Sequence, residues 1–187
     1  MPLSKIQTNS LATGAITSAV MPTGSVLQTQ YLQYTGQTST TVANDTNVSL
    51  THLAVNITPK ATNSIIRIDA MVNGEWSNQV CSTNSVWFFY RDSTKLSAGG
   101  GASRVMGILM GTSITHDAAN QSSTPEHTGT YSYFDTPSTT SQITYTVAVR
   151  QGNGSSATWY TNRTVDDGNS YAYERGLSFI SATEIAG

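Results

Sequence analysis

Three histidines and eleven carboxylates are the first places to look for chemistry in this chain. His52, His116 and His127 lie in separate segments. None has a second histidine at metal-ligand spacing, and none stands beside a serine or cysteine in a nucleophile-elbow sequence. They read as structural or surface residues. Glu75, Asp92, Asp135 and Glu174 would cleave a glycoside only as a pair roughly 5 to 9 Å apart in a cleft, and thinly spread carboxylates are also what any soluble surface carries. Asp166-Asp167-Gly168-Asn169 offers oxygen ligands but lacks the alternating positions and closing bidentate Glu of a calcium loop, so it reads as an Asx-type turn. Gly99-Gly100-Gly101 is followed by neither Gly-Lys-Ser/Thr nor a helical pattern, which makes it a loop rather than a phosphate cradle. The expectation is a protein that is not an enzyme and holds no cofactor and no metal.

The aromatic residues are more informative. Trp76, Trp87, Trp159, Tyr131-Ser132-Tyr133 and Tyr171-Ala172-Tyr173 could stack on sugar rings or on a protein partner, although core and subunit contacts are the commoner use of such side chains. Tyr171 and Tyr173 share a face just after a Gly-Asn turn, next to Glu174 and Arg175. With Trp159 they form the candidate binding surface. Asn-x-Ser/Thr triplets at Asn44, Asn47, Asn56, Asn120, Asn153 and Asn162 read as turn and surface hydrogen-bonding residues, because no secretory signal accompanies them.

The frame that must position these residues is legible in composition. A chain of 187 residues and 19.9 kDa suits one domain with a short appendage. Charged residues are 11% of it, against roughly 25% in ordinary soluble proteins. Serine and threonine together reach about 28%, so hydroxyls and amides supply the surface polarity. Such a surface lets copies and edges approach closely, where Lys or Glu would repel them. The net charge of -2 and the scattered Lys and Arg residues give no positive field for a phosphate backbone, which argues against a nucleic-acid partner. Cys81 is alone, so no intrachain disulfide forms, and synthesis in a reducing compartment fits. No basic segment with an apolar core opens the chain and no run approaches ~20 apolar residues, so neither signal-led export nor membrane insertion is expected.

Residues 1–25 place Ile6, Leu11, Ile16 and Val20 at spacings that match neither a helix nor a strand, so this leader is expected to lie against another surface as an attachment arm. Pro22 and Gly24 punctuate its end, one by setting φ and the other by permitting positive φ. The domain proper, 26–187, reads as short strands at 26–34, 48–57, 65–72, 86–91, 105–110, 128–134, 143–149, 157–160 and 177–185, with turn residues between them. That pattern predicts an all-β antiparallel sandwich. Ile66, Ile68, Ala70 and Val72 alternate with Arg67 and Asp69, and Ile143, Tyr145, Val147 and Val149 repeat the logic. Leu177, Phe179 and Ile185 share one parity of the last run, with Ile180 on the other, as in a buried terminal strand that clamps the carboxyl end. Val86-Trp87-Phe88-Phe89-Tyr90 is apolar on both faces, so it is either central or in an interface. Loops at 97–103 and 113–125 form the polar edge of the domain.

Three segments carry a family resemblance. Ser10-Leu11-Ala12-Thr13-Gly14-Ala15-Ile16-Thr17 runs into Met21-Pro22-Thr23-Gly24-Ser25-Val26-Leu27-Gln28; Val55-Asn56-Ile57-Thr58-Pro59-Lys60 leads into the strand at Ile65-Ile66; and Glu184-Ile185-Ala186-Gly187 closes the chain. Together they resemble the tail-fibre and other virion structural proteins of tailed bacteriophages, especially those of marine and cyanobacterial hosts. The resemblance implies a jelly-roll-like head, a homotrimer and an N-terminal peptide docked on other phage virion proteins. It also implies binding by exposed loops to a host surface glycan or protein. The protein would be made in the bacterial host cytoplasm and reside in the virion. A short tail fibre is the leading expectation; a capsid decoration or cement protein is the second, and a host polysaccharide depolymerase the third. Closure around a three-fold axis would then bury part of the strand at 86–90.

Overall fold

A computed structural model of the protein describes residues 20–78, 80–99, 103–111, 127–171 and 173–187. Strands in chain order are β1 (Val26–Tyr34), β2 (Thr38–Val42), β3 (Val48–Ile57), β4 (Ile65–Trp76), β5 (Ser85–Arg91), β6 (Thr94–Leu96), β7 (Leu109–Met110), β8 (His127–Asp135), β9 (Ile143–Gln151), β10 (Ala157–Thr161) and β11 (Ser178–Ile185); a single helical turn, α1 (Val80–Thr83), precedes β5. They form two antiparallel sheets. One has the order β1-β11-β4-β10-β2, with β8 on the other edge of β4; the second has the order β3-β9-β5-β6, with β7 also on β5.

The register simplifies this list. Tyr34 pairs with Ser178 at the end of one ladder and Thr38 with Thr161 at the start of the next, so β1 and β2 form one long edge run lying along β11 and then β10. Opposite them, β4 pairs with β11 through Met71 and with β10 from Gly74. β10 and β11 are therefore one run broken by an excursion, 162–177. In the same way β6 and β7 share one edge of β5 and are separated by a second excursion, 97–108. Counted as runs, the strands make two four-stranded layers, 1-8-3-6 and 2-7-4-5. That is the double-sheet arrangement of an eight-stranded jelly roll, and the expected sandwich is present.

The alternation read from sequence builds the interior. Ile66, Ile68, Ala70 and Val72 of β4 are fully buried, as are Tyr145, Val147 and Val149 of β9. The β4 residues face those of β9, together with Leu50, Leu53, Trp87 and Phe89 of the same sheet as β9, across the sandwich. Trp76, Trp87 and Trp159 meet at centroid distances of 4.8 to 6.4 Å and fill one end of the core. Gly74 is required there: a Cβ would stand 2.1 Å from the Tyr160 carbonyl oxygen and 2.5 Å from the Trp159 ring.

Four expectations change. In β11 the inward parity is Ser178, Ile180, Ala182 and Glu184, while Phe179 and Ile185 are only half-buried and face outward. The strand expected at 105–110 is laddered only at Leu109–Met110. Gly107 crosses so close over β5 that a Cβ would meet Val86 Cβ at 2.6 Å, so the chain passes over that strand instead of running beside it. Strands β2 and β6 were not expected. The outer face of β5 is covered by the chain itself. Val86, Phe88 and Ala148 pack under Ile108 and Tyr90, and the Lys95 ammonium sits 4.1 Å above the Phe88 ring. No subunit contact is needed to keep Phe88 dry.

The runs also give the molecule a polarity. Each alternates direction, so one end of the sandwich collects the chain at 20–25, the turns 58–64, 92–93 and 136–142, and the carboxyl end at 186–187. Among the described residues the opposite end collects 43–47, 77–78, 80–84, 111 and 152–156, and the 162–177 excursion opens from that half.

Candidate functional site

At the end where residues 20–25 enter, the arm and the carboxyl terminus are stitched together. Gly24, at φ 88°, donates its N–H to the Ala186 carbonyl, and Ala186 donates back to Ser25 at 2.8 Å. These two residues of the expected arm thus bond to the carboxyl-terminal segment just ahead of β1. Beneath them Glu184, fully buried, accepts hydrogen bonds of 2.6 Å from the Gln28 side-chain amide, the Lys60 backbone N–H and the Ser64 hydroxyl. Asn63 donates to the Gly187 carbonyl at 2.8 Å. A cleft of about 510 Å³ opens between Met21, Thr23 and Leu27 on one side and Lys60, Asn63 and Gly187 on the other. Of the expected attachment residues, Val20 is 60% exposed at this end; Ile6, Leu11 and Ile16 lie outside the described residues.

The far end is cross-linked loop to loop. Gln151, buried, donates to the Val42 and Ser155 carbonyls at 2.9 Å, and Asn44 Oδ1 accepts the Gly154 N–H at 2.8 Å. Asn153 donates to Cys81 Sγ at 2.9 Å, and Arg150 pairs with Asp45 at 3.3 Å. These bonds hold a cleft of about 320 Å³, lined by Asp45, Asn84, Ser85, Val86, Val105 and Met110 among others. Met110 is 78% exposed on its rim. Loop 113–125, Gly100, Gly101, Asn120 and His116 lie outside the described residues.

The excursion 162–177 carries the expected tyrosines, and its base is built on one buried asparagine. Asn162, at φ 62°, donates its side-chain amide to the Tyr34 and Gly36 carbonyls at 2.8 and 2.9 Å and accepts from the Ser178 hydroxyl at 2.7 Å. Ser178 in turn accepts the Asn73 N–H at 3.0 Å, and Asn73 donates to the Leu177 carbonyl. Buried Glu75 accepts the Val165 N–H at 2.6 Å. Higher up, Asp167 is held in a two-pronged pair by Arg175, at 2.8 and 2.9 Å, and by Arg163 at 3.5 Å, while Arg163 lies 4.4 Å over the Tyr160 ring. The Arg175 hydrogen bonds hold the Asp167 carboxyl below the usual carboxylate range. The Asp167 oxygens are thus engaged by arginines.

Within this frame the three candidate aromatics separate. Tyr171 is fully exposed on the excursion. Tyr173 is half-buried, with its ring against Gly168, where a Cβ would lie only 2.5 Å from the ring edge. Trp159 is fully buried in the tryptophan cluster and presents no surface to a ligand, a correction to the expected trio. The β-period explains it: Ala157, Trp159 and Thr161 share the inward parity of β10.

Three of the four acid–base candidates, Glu75, Asp135 and Asp92, are similarly committed. Asp135 receives both a two-pronged contact from Arg91, at 2.9 and 3.0 Å, and the Tyr145 hydroxyl at 2.7 Å. Asp92 accepts the Thr144 N–H at 3.0 Å, and Glu174 is exposed. Asp135 pairs with Ile66 while Glu75 sits nine residues further along β4, which separates those two carboxylates by about 30 Å, several times the span of a glycosidase pair. His52 Nε2 bonds Thr161 Oγ1 at 2.9 Å beside the Tyr34 ring, and burial lowers its pKa. His127 lies opposite Gly74 in the ladder. What the arrangement can do chemically is bind by shape, aromatic contact and hydrogen bonding.

Asn162, expected as a turn and surface hydrogen-bonding residue, is instead fully buried and organises the base of the excursion. Glu184, which organises the end beside residues 20–25, was not expected as such, although it shares parity with Ile180 and Ala182.

No protein-family model matches the chain, and no curated protein matches it. Among solved structures it is similar to the crystal structure of the infectious bursal disease virus VP2 subviral particle, at 11% identity and a TM-score of 0.37, over 84% of this chain and 41% of that one. This chain thus spans less than half the length of that protein. The architecture described above rests on this chain's own strand order.

Proposed function

We propose that the protein is a non-enzymatic virion structural component, a short tail fibre or tail-associated protein of a tailed phage. It would be fixed to its particle by residues 1–25 and would present loops to the host surface. The supporting observation is the polarity of the sandwich: the chain at 20–25 enters beside the carboxyl terminus at one end, while the excursion carrying exposed Tyr171 rises from the other half. A block with a plain end and an elaborated end suits attachment on one side and contact on the other. Jelly rolls also serve many other purposes, so the argument rests on this polarity and not on the fold alone.

A capsid decoration protein is the second reading. The low charge of the chain favours dense packing on a shell and keeps that reading alive. The depolymerase reading loses support because Glu75, Asp92 and Asp135 each hold local structure.

The test is deletion of residues 1–20. The shortened chain is expected to keep the β-sheet circular dichroism and cooperative melt of the full chain yet to be missing from particles assembled in its presence. Normal incorporation would remove the anchoring role. Antibody labelling of intact particles then separates tail from shell.

A further inference from the structure

We infer that the outer face of the β1-β11-β4-β8 sheet is a self-association surface whose occupant is a second copy of this chain, placed by a two-fold axis parallel to the strands. The two sheets differ in what covers them. The outer face of the β5-containing sheet is roofed by its own chain at Phe88. Among the described residues the outer face of the other sheet is uncovered alongside Ile65–Met71, with Tyr31 77% and Phe134 60% exposed at its two lateral strands and Phe179 and Met71 half-buried between them.

The register arranges this face in rows. One row is Thr29, Thr183, Arg67 and Phe134; the next is Tyr31, Ser181, Asp69 and Ser132. Its two charges neutralise each other, because Arg67 bonds Asp69 at 2.9 Å, and Ser132 adds a third contact to the same carboxylate at 2.6 Å.

A two-fold axis between β11 and β4 lays β1 of one copy over β8 of the other and β11 over β4, with rows preserved. Arg67 then meets Thr183 of the second copy, Asp69 meets Ser181, and Tyr31 stands one row from Phe134, each contact occurring twice. Every charge faces a hydroxyl, and like charges are never opposed. This is the self-complementarity an isologous contact requires. Four strands about 4.8 Å apart and seven residues at about 3.3 Å give a flat footprint near 440 Å² per copy. Side chains standing out of that plane bring the pair to about 1,000 Å² of buried surface, the lower bound for a specific interface, so the dimer should form at micromolar concentration. The three-fold assembly implied by the sequence resemblance would need a different surface.

Sedimentation velocity of the full-length chain over the micromolar range tests this. A monomer–dimer equilibrium is expected, and Tyr31→Glu with Phe134→Glu should raise its dissociation constant about thirtyfold or more while circular dichroism and melting stay unchanged. A second variant guards against misfolding. Thr29→Cys carrying a nitroxide label puts one spin on β1 of each copy; a lateral offset of about 14 Å and a sheet spacing of about 10 Å place the two spins roughly 18 Å apart. Pulsed dipolar spectroscopy should read a distance near that value, and adding Tyr31→Glu with Phe134→Glu should abolish it. A wild-type monomer throughout the range, a trimer unaffected by the Glu pair, or no spin–spin distance below about 30 Å would overturn the inference. So would a full-length monomer that dimerises once residues 1–19 are removed, because the leader would then be the occupant.

Discussion

Asn162→Ala is the sharpest probe of the claim that β10 and β11 are one strand interrupted by a pinned excursion. The substitution deletes the bonds to the Tyr34 and Gly36 carbonyls and the bond from Ser178, three interactions worth about 1 kcal/mol each when net of solvation. It also places alanine at φ 62°, a left-handed conformation costing about 1 kcal/mol more than for asparagine or glycine. The sum is about 4 kcal/mol, which for a domain of this size lowers the melting temperature by roughly 8 to 16 °C. Asn162→Gly keeps the backbone conformation and should lose about 3 kcal/mol, so the two variants differ by the left-handed term alone. Urea unfolding followed by tryptophan fluorescence reads the difference, since Trp76, Trp87 and Trp159 lie in the adjacent core. Limited proteolysis should show new cleavage within 162–177. A loss below about 1 kcal/mol for Asn162→Ala, with no new cleavage, would refute the pinning argument.

Two further outcomes follow from the geometry. Gly74→Ala, which drives a methyl into the Tyr160 carbonyl and the Trp159 ring, should cost more than about 3 kcal/mol and erase much of the near-ultraviolet dichroism; a melt within a few degrees of wild type would contradict the close approach. Burial holds His52 below its ordinary pKa of 6.5, so the unfolded chain takes up a proton before the folded one does. The stability this neutral ring permits is full above about pH 6.5 and is lost as pH falls through the folded value. His52→Gln should therefore flatten the melting temperature profile between about pH 7 and 5, and identical slopes in the two proteins would speak against it.

The parts of the fold that sequence reveals are those where one face is dry and the other wet. Ile66, Ile68, Ala70 and Val72 against Arg67 and Asp69 state their register outright, and β9 does the same. Thr38–Val42 and Thr94–Leu96 were invisible because short polar edge strands lack that contrast. The excursion 162–177 was hidden for a different reason: pairing between β10 and β11 runs through β1, β2 and β4, and no local pattern reports that two segments share one strand position. In β11 the apolar Phe179 and Ile185 outvoted the correct parity because buried Ser178 and Glu184 are polar groups paid for by hydrogen bonds that only the folded chain supplies. Likewise Val86 to Tyr90 disclosed two dry faces but not which atoms dry them; the cover is the chain's own Ile108, Tyr90 and Lys95. Of the candidate binding residues, Tyr171 lies where its setting after a Gly-Asn turn suggested, and Trp159 fails because an aromatic residue inside a five-residue strand obeys that strand's parity.

A three-dimensional density map of particles carrying this chain tests the polarity claim most directly. The account predicts the end holding residues 20–25 and 186–187 against the particle, with turns 43–47 and 152–156 and the Tyr171 excursion pointing away. The reverse orientation, or density for the chain lying flat with both ends free, would contradict it.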